Sequence, residues 1–280
     1  MSQQPGEGVD RLVVGKGAAG RLAFPGEPDR AEPFQKRVER RCQDDGGAGQ
    51  GEAGGLEPLE VFAHGLQLGV PDLGEALGEL PVDQCGLAAL GWEAAHLVGT
   101  SLGGMIAQTL AIRHPARVRT LTSVMSTPAA RLGTMPKITT LKAIMRLSAM
   151  PVTGPDQAAR EAVAMRKLIG SPRYPFDEKE VGDIGRRSYE RNPGSPEADA
   201  RQRAAVTASG DRRKALTTLR IPTLVLHGED DPVIRLKAGR ATAAAVPGAR
   251  LVTYPGMGHD LPRQLWPSIL EQIRALAFTQ

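Results

Sequence analysis

Aromatic residues make up only 4% of this 280-residue chain, and cysteine occurs just twice. So few rings leave little to stack on nucleobases, and no run of five or more basic residues compensates, although the net charge is +4. Nucleic-acid binding is therefore not expected. Cys42 and Cys85 stand far apart, without metal-type spacing, and suit a reducing compartment rather than a disulfide framework. Long apolar runs are also missing. No stretch approaches 18 apolar residues, and Met1 to Asp10 is polar, so neither a membrane span nor an export signal is expected. The expected setting is cytoplasmic. Histidine occurs five times, which keeps the search for a general base short.

What is abundant is glycine, 33 residues of it, and its distribution divides the chain. Residues 46–55 are a low-complexity Gly/Ala tract, and only Arg11 to Val14 and Leu59 to Ala63 read as strands before residue 85. Beyond Cys85 the pattern becomes regular. Ala94 to Val98 reads as a buried strand, Met105 to Arg113 as a helix, and Val118 to Met125 as a β-branched strand. Helical periods then follow over Ile138 to Met150, Gln157 to Ile169, Asp177 to Tyr189 and Pro196 to Ala208. Strand signals return at Ile221 to Leu226 and Arg250 to Tyr254, with helices at Leu236 to Val246 and Trp266 to Phe278. Alternating strands and helices predict an α/β fold with a mostly parallel sheet, and the helical stretch 126–220 an inserted lid before the last two strands.

The segment Gly99-Thr100-Ser101-Leu102-Gly103 lies between a strand and a helix. This is the setting of a nucleophile elbow, where a serine sits at the apex of a strained turn and its flanking glycines avoid clashes. The helix N-terminus aims its dipole at the serine oxygen, where negative charge develops. A serine hydroxyl needs a base, and the base needs an orienting acid. Among the histidines, His96 is expected to pack inside a strand, His114 to close a helix, and His227 to end a strand. His64 falls in the poorly patterned third. His259 stands in the glycine-rich loop Pro255-Gly256-Met257-Gly258-His259-Asp260, between the last strand and the last helix, where open α/β sheets place their sites. The acid is sought in His227-Gly228-Glu229-Asp230-Asp231-Pro232, where the alternative for Asp231 is a cap of the next helix. The chain order of serine, acid and histidine is that of hydrolases with a nucleophile elbow.

On the segments HLVGTSLGGMIAQTLAIRHPARVRTLTSVMST (96–127), IGSPRYPFDE (169–178), IPTLVLHGEDDPV (221–233) and ARLVTYPGMGHDLPRQLWP (249–267), the chain resembles the α/β-hydrolase superfamily, in particular the branch that includes aclacinomycin methylesterase. The resemblance implies Ser101 as nucleophile, His259 as base, and Asp231 rather than Asp230 as acid. It also implies the Leu102 amide as an oxyanion donor within an elbow bounded by Gly99 and Gly103. It predicts a carboxylic ester hydrolase that needs no cofactor or metal and acts on a bulky hydrophobic or polyketide-like small-molecule ester. A lactonase or lyase on the same residues, or a hydrolase shell that only binds, are the alternatives. The likeness covers residues 86–280. Residues 1–85 lack the family's further strands and oxyanion loop, and are expected to be a divergent, disordered or frame-shifted start. Two imitations there are set aside. The His64-Gly65 pair lies too near Ser101 for an oxyanion loop, and Gly15-Lys16-Gly17-Ala18-Ala19-Gly20 is followed at once by Pro25 and Pro28 instead of a dinucleotide-binding helix.

Overall fold

A computed structural model describes residues 12–16 and 61–64 as backbone strands and, with side chains, residues 93–129, 136–193, 200–201, 204 and 206–278. Six strands form one parallel sheet in the order β2-β1-β3-β4-β5-β6. They are β1 (Leu12–Lys16), β2 (Val61–His64), β3 (Ala95–Thr100), β4 (Val118–Val124), β5 (Thr223–Gly228) and β6 (Arg250–Tyr254). Every residue of β3 and β5 is buried, as expected of strands covered on both faces, whose sequences run apolar without alternation. The two weak strand signals of the N-terminal third correspond to β1 and β2, one residue shifted from Arg11 to Val14 and two from Leu59 to Ala63.

Helix α1 (Leu102–Arg113) covers one face of the sheet at β3 and β4 and α6 (Leu236–Ala245) the same face at β5 and β6, while α7 (Trp266–Ala277) covers the other face at β4 and β5. Successive strand residues point to opposite faces, so the core is split in two. Leu97 and Leu121 pack with Ala107, Ala111, Leu216 and Val246 on one side. Val98, Val124, Leu224 and Leu226 pack with Ile269 and Ile273 on the other. Helix α1 begins at Leu102, three residues earlier than its apolar period indicates. Gly103 and Gly104 have poor helix propensity and hide its first turn in the sequence.

Between β4 and β5 the longer elements among the described residues are helices: α2 (Ile138–Ser148), α3 (Pro155–Ile169), α4 (Glu178–Arg191) and the short α5 (Arg213–Leu216). The helix expected over Pro196 to Ala208 lies partly outside the described residues; those of it that are described are helical. Asp177 caps α4 by accepting from the amides of Lys179 and Glu180 at 2.8 and 3.2 Å. The insertion has a closed neck. Ala129 bridges Asp211, and the Arg212 amide donates to Pro128 O at 2.9 Å. The buried Arg212 guanidinium donates to Thr127 O at 2.8 Å, Gln108 Oε1 at 3.3 Å and Ser209 Oγ at 3.0 Å. Burial lowers its pKa to about 10.

The register decides where loops meet. Thr100 stands beside Val124, Val124 beside Leu226, and Leu226 beside Val252. The carboxyl ends of β3, β5 and β6 therefore lie within two residues of one row across the sheet, and the loops they feed converge.

Candidate active site

Ser101 occupies the turn between β3 and α1 with φ 53° and ψ −118°, a left-handed conformation that costs a non-glycine residue about 1–3 kcal/mol. The surroundings hold it there. Its amide donates to Val124 O at 2.9 Å, and its carbonyl accepts from Ser126 Oγ at 2.7 Å and from the Gly104 amide at 3.0 Å. A Cβ at Gly99 would lie 2.2 Å from Gly103 O, and one at Gly104 2.5 Å from Ser126 Cβ. Strand and helix approach so closely only because both residues lack side chains. Serine is a favoured helix cap, yet Ser101 Oγ makes no capping bond to α1. It lies 3.0 Å from His259 Nε2 instead. Leu102 opens α1, where the first amides have no acceptor within the helix, and no acidic residue in the first turn offsets the positive end.

His259 Nδ1 lies 2.8 Å from Asp231 Oδ2. The Asp231 side chain is fully buried and the His259 side chain one-tenth exposed. Asp231 Oδ1 accepts from the amides of Val233 and Ile234, both at 2.8 Å. Asp231 thus has two contacts. One oxygen closes a turn and the other faces the histidine, while α6 starts only at Leu236 with Arg235 at its cap. With the carboxylate accepting at Nδ1–H, Nε2 is left free to accept from the Ser101 hydroxyl. Asp230 is half-exposed and faces Arg173 Nε at 4.0 Å, so the geometry separates it from Asp231.

Ser101, Asp231 and His259 are thus brought together, with the Leu102 amide and the elbow glycines Gly99 and Gly103 beside them. The other histidines stand apart from Ser101. His96 is buried in β3 with Nδ1 2.9 Å from Thr120 Oγ1, and His114 closes α1. His64 lies in β2, which β1 separates from the elbow strand, and Gly65 lies outside the described residues. The Gly17 to Gly20 stretch lies outside the described residues. Among the described residues, no group of three or more His, Cys, Asp or Glu side chains is arranged to hold a metal ion.

Two features were not visible in the sequence. His227 is fully buried, its Nε2–H donates to Ile234 O at 2.7 Å across the acidic turn, and burial lowers its pKa. It braces the turn that presents Asp231. The second is the connection after α3, which binds the histidine loop: the His259 amide donates to Ile169 O at 2.8 Å and the Gly258 amide to Ser171 Oγ at 2.9 Å. Met125 is buried in the core, whereas Met145 and Met150 are 63% and 57% exposed.

Residues 81–262 match the protein family described as alpha/beta hydrolase fold. A pimeloyl-[acyl-carrier protein] methyl ester esterase of Aromatoleum aromaticum is 30% identical over 175 residues, covering 59% of this chain and 66% of the relative. The rhodomycin D methylesterase DnrP of Streptomyces peucetius is 28% identical over 192 residues, covering 61% and 63%. The chain thus spans just under two thirds of the length of these relatives. Among solved structures, the meta-cleavage product hydrolase CumD of Pseudomonas fluorescens superposes with a TM-score of 0.54 at 20% identity, covering 74% of this chain and 71% of that one. A strained serine between strand and helix, a sheet that converges three loops on it, and a family match over most of the described chain agree: this protein belongs to the alpha/beta hydrolase fold family.

Proposed function

We propose that the chain is a serine hydrolase that cleaves a carboxylic ester through an acyl-enzyme, with Ser101 as nucleophile, His259 as base and Asp231 as the orienting acid. The observation that carries this reading is the continuous path from Ser101 Oγ to His259 Nε2 at 3.0 Å and from His259 Nδ1 to Asp231 Oδ2 at 2.8 Å. In the first half-reaction His259 takes the hydroxyl proton as Ser101 Oγ attacks the ester carbonyl. The Leu102 amide at the head of α1 donates to the developing oxyanion. Collapse of the tetrahedral species breaks the bond to the alcohol, which leaves with the proton from His259 Nε2. Water, deprotonated by the same nitrogen, then attacks the acyl-enzyme and releases the acid and free Ser101. Asp231 keeps the proton on Nδ1 and stabilises the imidazolium through both transfers, while its second oxygen, fixed by two amides, prevents it from turning away.

The substrate class that fits is a methyl ester of a larger, mainly apolar acid. The names of the two esterase relatives support it, as does the size of the helical insertion, which we take to be a lid over the acyl group. The test is the release of p-nitrophenol from a p-nitrophenyl ester. The reading expects a burst of about one equivalent per chain, absent in Ser101→Ala, followed by slower turnover. Steady ester cleavage by Ser101→Ala at the wild-type rate would exclude it.

A further inference from the structure

The histidine loop carries a carboxylate that the proposed chemistry does not use. Asp260 follows His259 directly, and only about 15% of its side chain is exposed. Burial pushes its pKa up, against the opposing pull of Ser171 and Arg166. Such a group is costly to enclose unless its oxygens are met. Both are met from the helical insertion. Asp260 Oδ1 accepts from Ser171 Oγ at 2.5 Å, and Oδ2 forms an ion pair with Arg166 Nη1, whose side chain is 14% exposed. Arg166 sits on the last turn of α3, its guanidinium 4.8 Å from the centre of the Phe176 ring. Ser171 serves twice, since its Oγ also accepts from the Gly258 amide. The His259 amide, lying between these two attachments, donates to Ile169 O.

The contact is close enough to be exclusive. A Cβ at Gly258 would lie 2.3 Å from Gly170 O. The residues immediately before and after His259 are thus fixed to the end of α3, while Met257, one position earlier, ties the loop to the turn after β5 by accepting from the Asp230 amide at 3.1 Å. A loop with glycines at positions 256 and 258 has little stiffness of its own, and Gly256 sits at φ 80°. Something outside it must set the height of the imidazole above Ser101.

We propose that Asp260 is a positioning residue for the hydrolytic reaction, acting with Arg166 and Ser171 to hold His259 in line with Ser101, so that the helical insertion takes part in catalysis by aligning the base. This rests on the reading of His259 as the base. A misplacement of about 1 Å in a catalytic group costs on the order of 100-fold in rate. Loss of the clamp therefore appears in kcat, not in KM. The titratable and charged groups around the ring are Asp231 at Nδ1, His227 behind it, the half-exposed Asp230 facing Arg173, and the Asp260–Arg166 pair. Removing the Asp260 charge leaves Arg166 unbalanced and disfavours the imidazolium.

The experiment compares full-length wild type with Asp260→Asn, Ser171→Ala, Arg166→Met and the double variant Arg166→Met/Asp260→Asn, using a p-nitrophenyl ester. The expected result for Asp260→Asn is a kcat about 10- to 100-fold lower, a KM within about threefold of wild type, and an acid limb of the kcat–pH profile moved to lower pH. Ser171→Ala, which keeps the ion pair, is expected to lower kcat several-fold and covers the case in which Asp260→Asn does not fold. The double variant should lose no more than the worse single one, because the charges are removed together. A wild-type kcat in both Asp260→Asn and Ser171→Ala would overturn the positioning role. So would a loss that follows the melting temperature with the acid limb unmoved. A wild type that shows no acyl burst at all would instead overturn the reading of the base, and this proposal with it.

Discussion

The proposed nucleophile and the proposed base of this site are held by opposite means. Ser101 is fixed by backbone. A turn between two regular elements, two glycines at van der Waals contact and three hydrogen bonds to its own peptide groups leave it one conformation. His259 is fixed by side chains from elsewhere: Asp231 from the loop after β5, and Ser171 and Arg166 from the insertion, the last two through its neighbours. A strained apex has to be rigid before substrate arrives, whereas a base must turn between an attacking and a leaving oxygen. Local geometry serves the first need, and side chains from other segments, Asp231 on the ring and the clamp on its neighbours, serve the second.

The largest effect expected from breaking either side is on turnover. Ser101→Ala should lower kcat on the order of a million-fold with the fold intact, and His259→Ala by a similar factor. The double variant should be little worse than either single one, because the two residues act as a unit. Steady-state rates and circular dichroism on the three proteins check this. The acid side is next. Asp231→Asn should cost about ten-thousand-fold, since an amide in that place stabilises the wrong tautomer. Asp230→Asn, exposed and turned away, should stay within a few-fold of wild type. If the two variants exchanged behaviour, the acid would move by one residue while elbow and histidine stood.

On the backbone side, Gly99→Ala should act on stability as much as on rate. Its Cβ meets main chain that cannot move aside, so a loss of about 1–3 kcal/mol in chemical denaturation is expected. The smallest effect concerns His227. Burial keeps it neutral and lowers its pKa, so the unfolded chain takes up the proton first as pH falls. Its contribution is complete above the ordinary imidazole range, about pH 6.5, and is lost as pH falls below it, by at most about 1.4 kcal/mol per pH unit. His227→Gln should flatten the stability–pH curve between about pH 6.5 and 5, as followed by urea midpoints across that range.

The same contrast explains what could be read from the sequence. Ser101 was legible because its signal is local: the flanking glycines and the change from strand to helix occupy some twenty residues. His259 and Asp231 were legible because each follows a clear apolar strand, and the parallel register brings strand ends together without further information. The start of α1 was misplaced because Gly103 and Gly104 are needed for close packing, against helix propensity. The pairing of Arg166, Ser171 and Asp260 carried no signal, since Ser171 and Asp260 are 89 residues apart and follow no common period. Arg212 was equally silent. It reads as one arginine among many until the neck of the insertion closes around it. The contribution of β1 was half legible, its strand pattern being present but its place beside β3 set only by the tertiary fold.

The central claim, that His259 activates Ser101 for attack on an acyl carbonyl, is tested most directly by intact-mass and peptide mapping after exposure to a fluorophosphonate. The prediction is one adduct per chain, on the peptide containing Ser101, absent in Ser101→Ala and formed at least a thousand-fold more slowly in His259→Ala. Labelling of another serine, or an unlabelled chain that still hydrolyses esters, would contradict it.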